Sequence, residues 1–286
     1  METHEIRLTQ VEGRNIQQDG WRFVLQEPDW IPNGQCRVAG FGEYLDWAGM
    51  VDSIVRDLSG PDKVIVIVRG PNGAGKDHLA AEVAWRLRIP YHLTVLEPDT
   101  SSTSLVCFPL LPIERGVFAL SPHTTAQVTG GLSCITEGGK GDHRYCKVMA
   151  PQVTAYDDHR VVKCNQPPVH FSVHPDHALL ILALPGEDIQ RDIESRAAHY
   201  DLELPPPDAL MAIVKAKSQA GVPALLDALR DYVSDQWASG KAMPPRSAIT
   251  ALSIAHKEYT ASGPEGRLSP REARRIVDRS VGRVRF

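Results

Sequence analysis

Five β-branched residues in a row, Val64 to Val68, run into Gly70-Pro71-Asn72-Gly73-Ala74-Gly75-Lys76-Asp77-His78, and an amphipathic stretch follows. No other feature limits the fold as tightly. A continuous β-branched run suits a strand covered on both faces, as in a parallel sheet. Asp77 to Leu87 carries Leu79, Ala80, Val83, Ala84 and Leu87 at helical spacing. The loop between them fits GxxxxGK. Its glycines let main-chain N–H groups crowd around phosphate oxygens without a Cβ clash. The following helix turns its positive end on the same anion, and Lys76 adds a full charge for the β- and γ-phosphates. Residues Gly70 to His78 are therefore expected to hold a nucleoside triphosphate, ATP, with Mg²⁺. Asp77 stands where a magnesium-binding hydroxyl is usual; a carboxylate there can hold the ion directly or through water.

Pro90 stops the helix, and Tyr91 to Leu96 reads as a second strand that ends in Glu97-Pro98-Asp99. Strand, loop, helix, strand argues for a βαβ unit, hence an α/β fold with a parallel sheet flanked by helices. Further strands are expected at Trp21 to Leu25, Gly116 to Leu120, His159 to Cys164 and Ala178 to Leu184. Gly130 to Gly141 reads as a glycine-rich loop. Phe41 to Leu58 and Glu187 to Tyr200 have helical spacing, the latter with Ile189, Ile193 and Ala197 on one stripe. After the break at Leu204 to Pro207 the chain reads as mainly helical. The expected division is an N-terminal extension over 1–60, the phosphate-loop core over 61–204 and a helical region over 205–286.

Five cysteines without a CxxC pair do not make a disulfide framework. The polar start, Met1 to Arg14, is not a signal peptide, and no apolar run is long enough to span a bilayer. A soluble cytoplasmic protein is expected, with no membrane partner. His170, His174 and His177 surround Asp176, but their spacing matches no zinc motif, and a polar loop is the expected account. Cys134, His143 and Cys146 are read in the same way, and Asp157-Asp158-His159 is read as a turn. The last stretch is basic: Arg267 to Phe286 has seven arginines against two acids. Ser269-Pro270-Arg271-Glu272 is a capping box that starts a helix. Arg271, Arg274, Arg275 and Arg279 then share one side, a stripe suited to a nucleic-acid backbone or to solvent.

Two families are similar to this chain. In the first, Gly75-Lys76-Asp77 resembles the loop of some P-loop kinases, among them phage deoxynucleotide kinases, which usually continue with Thr where this chain has His78. Leu96-Glu97-Pro98 resembles the acid that orients the acceptor hydroxyl in thymidylate and deoxynucleoside kinases. The stretch Pro175 to Arg196 resembles their late strand and lid helix, which implies that Arg191 or Arg196 stabilises the transferred phosphoryl group. The Asp-Arg of their third strand is missing, with Ser121-Pro122-His123 roughly in its place. This resemblance implies a kinase that uses Lys76, Asp77, Glu97, Arg191 and Arg196. It would act on a nucleotide or a hydroxymethyl-pyrimidine in DNA, as a monomer or dimer.

In the second, the chain resembles MoxR-type AAA+ ATPases from about residue 40 to 280. His174-Pro175-Asp176-His177, Ser195-Arg196 and Leu268-Ser269-Pro270-Arg271 carry the likeness. Val117 to His123, taken as the third strand, lacks the Asp-Glu that holds Mg²⁺ and activates water in that family. Leu184 replaces the polar sensor after the fourth strand. This resemblance implies a degenerate ring-forming ATPase that serves as a nucleotide-binding scaffold. The kinase expectation is the one carried forward, because it gives Asp77 and Glu97 a role.

Overall fold

The computed structural model describes residues 11–12, 15–31, 44–59, 65–96, 100–110, 116–136, 155–156, 160–165, 167–189, 191–218, 222–261 and 268–284. They divide into two compact units. The first holds Met1–Tyr44, Met50–Arg69 and Asp77–Asp201; the second holds Leu45–Gly49, Gly70–Lys76 and Leu202–Phe286.

The first unit is built on a five-stranded sheet. Its strands are β4 (Ile65–Arg69), β5 (Tyr91–Val95), β8 (Leu132–Thr136), β11 (Ala178–Ala183) and β12 (Ala197–Asp201), in the order β12-β4-β11-β8-β5. Every pairing is parallel. Parallel neighbours need long crossovers, and these carry the helices that cover the sheet. Helix α1 (Val51–Ser59) buries Val51, Ile54 and Leu58 and lies against β4 and β11. On one sheet face, Ile65, Ile67, Ile135, Leu179 and Ile181 join Ile189 and Ile193 in a common core. Because all five strands run the same way, β4, β5, β8 and β11 end at one edge.

A second five-stranded sheet has the order β1-β2-β3-β7-β6. It comprises β1 (Val11–Glu12), β2 (Asn15–Gln18), β3 (Trp21–Val24), β6 (Cys107–Pro109) and β7 (Val117–Leu120). The antiparallel hairpin of β9 (Val161–Asn165) and β10 (Pro168–Ser172) shares its core, where Ile16, Phe23, Leu120, Val162, Val169 and Phe171 are buried. Helix α3 (Pro122–Thr129) starts on the Ser121 cap, whose hydroxyl accepts from Thr124 N.

Four sequence expectations are corrected. Gly130 to Gly141 is not all loop: Leu132–Thr136 is the third strand of the parallel sheet, between β11 and β5. Val117–Leu120 is a strand, but of the other sheet, paired with β3 and β6. Glu187 to Tyr200 is not one helix. A single turn, α4 (Arg191–Glu194), is followed by the edge strand β12. The helical stripe misled because Ile189, Ile193 and Ala197 all reach the same sheet core, from a turn, a short helix and a strand in succession. The helix expected from Phe41 begins only at Val51, after a turn in which Gly49 has φ +66°.

In the second unit, α5 (Pro207–Lys217), α6 (Pro223–Ala238), α7 (Pro245–Ala261) and α8 (Pro270–Gly282) each begin with proline. The first helical position tolerates proline because its missing N–H would have no intrahelical partner. Leu210, Val214, Leu229, Val233, Leu252, Ile276 and Val277 fill the core between them. No helix among the described residues is long and apolar enough to cross a membrane. The α/β class, the parallel sheet with flanking helices and the helical C-terminal region are as the sequence predicts.

Candidate functional site

In an open parallel sheet, ligands bind outside the carboxyl ends of the strands. The glycine-rich loop leaves the sheet there: Arg69 ends β4, and Gly70 to Gly75 lead into α2 (Lys76–Leu87). Two loop glycines adopt positive φ, Gly73 at +77° and Gly75 at +97°, a conformation that side chains disfavour. Gly70 is glycine for a different reason. A β-carbon on it would stand 2.3 Å from the Leu202 carbonyl oxygen. The Lys76 ammonium donates to the carbonyls of Gly70 at 2.6 Å and Pro71 at 3.0 Å, so it is folded back over the loop. Ala74 is buried, while Asn72, Gly73, Asp77 and His78 are exposed. An ammonium over a glycine loop, with a helix end below, fits a chain of phosphates.

Asp77 opens α2 with its carboxylate in the first turn. Its charge is felt on β8: burial pushes the Cys134 thiol up to about 12, and Asp77 adds to the rise. Cys134 is two residues from Thr136, the last residue of β8. Thr136 ends β8 at the carboxyl edge of the parallel sheet. Val117 to His123, where an acidic pair was expected under the ATPase resemblance, does not contribute a strand to the parallel sheet. Around β8 the sequence reads Leu132-Ser133-Cys134-Ile135-Thr136-Glu137. An apolar run ending in an acid was the signal that sequence reading passed over, hidden by glycines on either side. Glu137 lies outside the described residues.

The other expected site residues are dispersed. Glu97 lies outside the described residues, just past β5. Arg191 is exposed on the short α4, and Arg196 sits in the turn before β12, donating to the Tyr156 carbonyl at 3.5 Å. Since Ala197 pairs with Ile65, Arg196 adjoins the end of β4 remote from the loop. Neither arginine is on a lid helix. Glu187, expected on that helix, instead accepts from the Leu184 N–H at 2.8 Å, at the end of β11.

His177 is buried, bonded through Nδ1 to the Gly131 carbonyl at 3.2 Å and through Nε2 to the Tyr156 hydroxyl at 3.3 Å. It fastens the start of β11 to β8. No group of three or more His, Cys, Asp or Glu is placed to hold a metal among the described residues. His143, Cys146 and Asp157 to His159 lie outside them.

On α8 the predicted capping box is formed. Arg271 and Arg275 are exposed. Arg274 is not simply solvated: it bonds Asp235 and Asp278, each at 2.9 Å, and stacks over Tyr232. Arg279 approaches Glu258 at 3.8 Å, and Arg283 also pairs with Glu258.

Together these features define a class: a P-loop NTPase fold, a parallel sheet flanked by helices, with a helical C-terminal region. Among solved structures, two mutants of RuvB from Thermotoga maritima share it, with TM-scores of 0.51 and 0.50 at 15% and 18% identity. Each alignment covers 86% of this chain and 72% of the other. The curated protein CbbQ of Hydrogenophilus thermoluteolus is 25% identical over 162 residues, 55% of this chain. The match spans 60% of that protein's length. No family model matches the chain.

Proposed function

We propose that this chain is a nucleotide-binding subunit of the AAA+ type. It would grip ATP with Mg²⁺ through Gly70 to His78, act by assembling with further copies or a partner, and turn nucleotide over slowly. The observation that carries the reading is the loop itself, mounted on the second strand of the order β12-β4-β11-β8-β5. The likeness to CbbQ and to RuvB supports it at the level of fold.

Lys76 would leave the Gly70 and Pro71 carbonyls for the β- and γ-phosphates. Asp77 would supply the carboxylate for Mg²⁺, and Thr136, at the end of β8, would stand for the strand-borne acid. Carboxylate and hydroxyl would then have changed places between helix and strand, which keeps one of each for a hard cation. The metal would screen the phosphate charge that Asp77 otherwise repels. Slow turnover follows from that exchange, since a carboxylate beside the γ-phosphate opposes the charge that builds during transfer.

The phosphotransferase reading has less beneath it. Its lid helix is replaced by a turn and a strand, and Glu97 lies outside the described residues. The nucleic-acid reading of α8 rests on Arg271 and Arg275, because Arg274 and Arg279 are engaged with acids of α6 and α7.

Calorimetric titration of ATP at millimolar Mg²⁺, with Lys76→Ala alongside, tests the proposal. Losing one charge-assisted contact is expected to weaken binding roughly 10- to 100-fold. Equal affinity in the two proteins, or none in either for ATP and GTP, overturns it. With γ-labelled ATP, label passing to a hydroxyl acceptor rather than slowly to water would restore the kinase.

A further inference from the structure

Helix α3 is enclosed along most of its length, and much of what it buries is polar: His123, Thr124, Thr125 and Gln127. Burying a polar group is costly unless it is hydrogen-bonded. Towards the segments that flank β6 and β3 the bonds are made. The Ser121 and Thr124 hydroxyls both donate to the Leu105 carbonyl, the latter at 3.2 Å, and the Thr125 hydroxyl accepts from the Gln26 N–H at 3.2 Å. Towards the parallel sheet they are not. His92 on β5 and Ser133 on β8 are paired in register, and α3 lies against both strands. His123 Nδ1 and the Ser133 hydroxyl are hydrogen-bonded at 2.6 Å. His123 Nε2 and His92 Nδ1 are buried with no hydrogen-bond partner among the described residues. The same holds for the Thr94 hydroxyl, two residues along β5 and on the same strand face as His92.

Proton positions follow from these bonds. Burial holds His92 down at about 4 and His123 at about 3, so at neutral pH each ring has one N–H and one bare nitrogen. Ser133 is enclosed, and its hydroxyl makes no other hydrogen bond among the described residues, so its proton goes to His123 Nδ1. The His123 N–H is then on Nε2, a buried donor. Of the two His92 nitrogens, Nδ1 is the one enclosed without a partner, and left bare it is the matching acceptor. The two rings are near enough for His92 to add to the depression of His123, yet they are not bonded to each other. A buried donor and acceptor so placed are joined by an interposed water. A metal ion fits less well. Two neutral imidazoles bring no negative charge, and among the described residues no group of three or more His, Cys, Asp or Glu is placed to hold one.

We propose that a water molecule is built into the core between α3 and the parallel sheet, accepting from His123 Nε2–H and donating to His92 Nδ1, with the Thr94 hydroxyl as its third partner. It completes a hydrogen-bonded chain from the Ser133 hydroxyl through His123 and the water to His92, and it links α3 to β5. The residues around it are closed to solvent, His123 and Ser133 at 0% exposed, His92 at 2% and Thr94 at 8%. The water therefore leaves only when α3 opens from the sheet, and it stays far longer than a surface water.

The first test uses the full chain without substitution at neutral pH. Long-range proton–nitrogen NMR spectra of the imidazoles are expected to show both rings neutral, each with its N–H on Nε2. Oxygen-17 relaxation dispersion of the water signal then counts the slowly exchanging waters. That count is expected to fall by one in His92→Leu, which removes the acceptor. Thr94→Val keeps the side-chain shape and removes one of three bonds, so it should shorten the residence of this water roughly 2- to 10-fold. An N–H found on Nδ1 of either ring, an unchanged count in folded His92→Leu, or an unchanged residence in Thr94→Val overturns the proposal. So does a crystal structure with a protein group or a metal ion on His123 Nε2. If His92→Leu does not fold, the tautomers and the crystal structure of the parent decide. None of Gly70 to His78 takes part, so the nucleotide reading is tested separately.

Discussion

At Gly70 the requirement for glycine is steric rather than conformational. A β-carbon would meet the main-chain oxygen of Leu202 at 2.3 Å and its carbonyl carbon at 3.3 Å. Backbone cannot rotate away as a side chain does, so the loop or the Leu202 segment must move. Gly70→Ala is expected to destabilise the protein by about 2–4 kcal/mol, read as a lower urea midpoint. Gly282→Ala is the control, because no atom lies within 4 Å of a β-carbon there. Its midpoint should stay within about 0.5 kcal/mol of the parent. Lys76 is constrained differently. Its ammonium is committed to two carbonyls of the loop, so binding phosphate exchanges hydrogen bonds rather than creating them from nothing.

Among the elements, α8 shows how local chemistry sets a boundary. The Ser269 hydroxyl accepts from the Glu272 N–H, and the Glu272 carboxylate accepts from the Ser269 N–H, so two end donors are satisfied. Ser269→Ala should lower stability by about 1 kcal/mol, measured by chemical denaturation, with the fold retained. The same helix is amphipathic enough to bury Ala273, Ile276, Val277 and Val281 while leaving arginines outside. The strands β8 and β12 obey no such local rule. Each is a strand because a neighbour offers a ladder: β8 lies between two parallel partners, and β12 pairs along β4.

For the molecule as a whole, buried histidines set an acid limit. Burial holds His92 down at about 4, from an ordinary 6.5. Burial, with a smaller push from His92, holds His123 at about 3. His123 Nδ1 and the Ser133 hydroxyl are hydrogen-bonded at 2.6 Å, whereas His123 Nε2 and His92 Nδ1 have no partner among the described residues. The unfolded chain takes up both protons as pH falls below 6.5; the folded chain resists until about 4 and about 3. Stability is therefore fully present above pH 6.5. Below it, each histidine removes up to about 1.4 kcal/mol per pH unit. Urea midpoints should fall steadily from pH 6.5 to 4, and His92→Leu should make that slope about half as steep.

The sequence alone determined the phosphate loop, the strand and helix on either side, the β5 strand and the capping box of α8. In each, short-range rules suffice: β-branched runs, glycine spacing, proline and serine at helix starts. It did not determine that Leu132–Thr136 joins the parallel sheet between β11 and β5, nor that Glu187 to Tyr200 splits into a turn and a strand. It also did not bring His92, His123 and Ser133 together. Those outcomes depend on partners distant in sequence. A ladder supplies its hydrogen bonds from another strand, and a core accepts Ile189, Ile193 and Ala197 from whatever backbone delivers them. Only the tertiary structure decided them, because the free energy that selects them does not exist until distant segments are packed together.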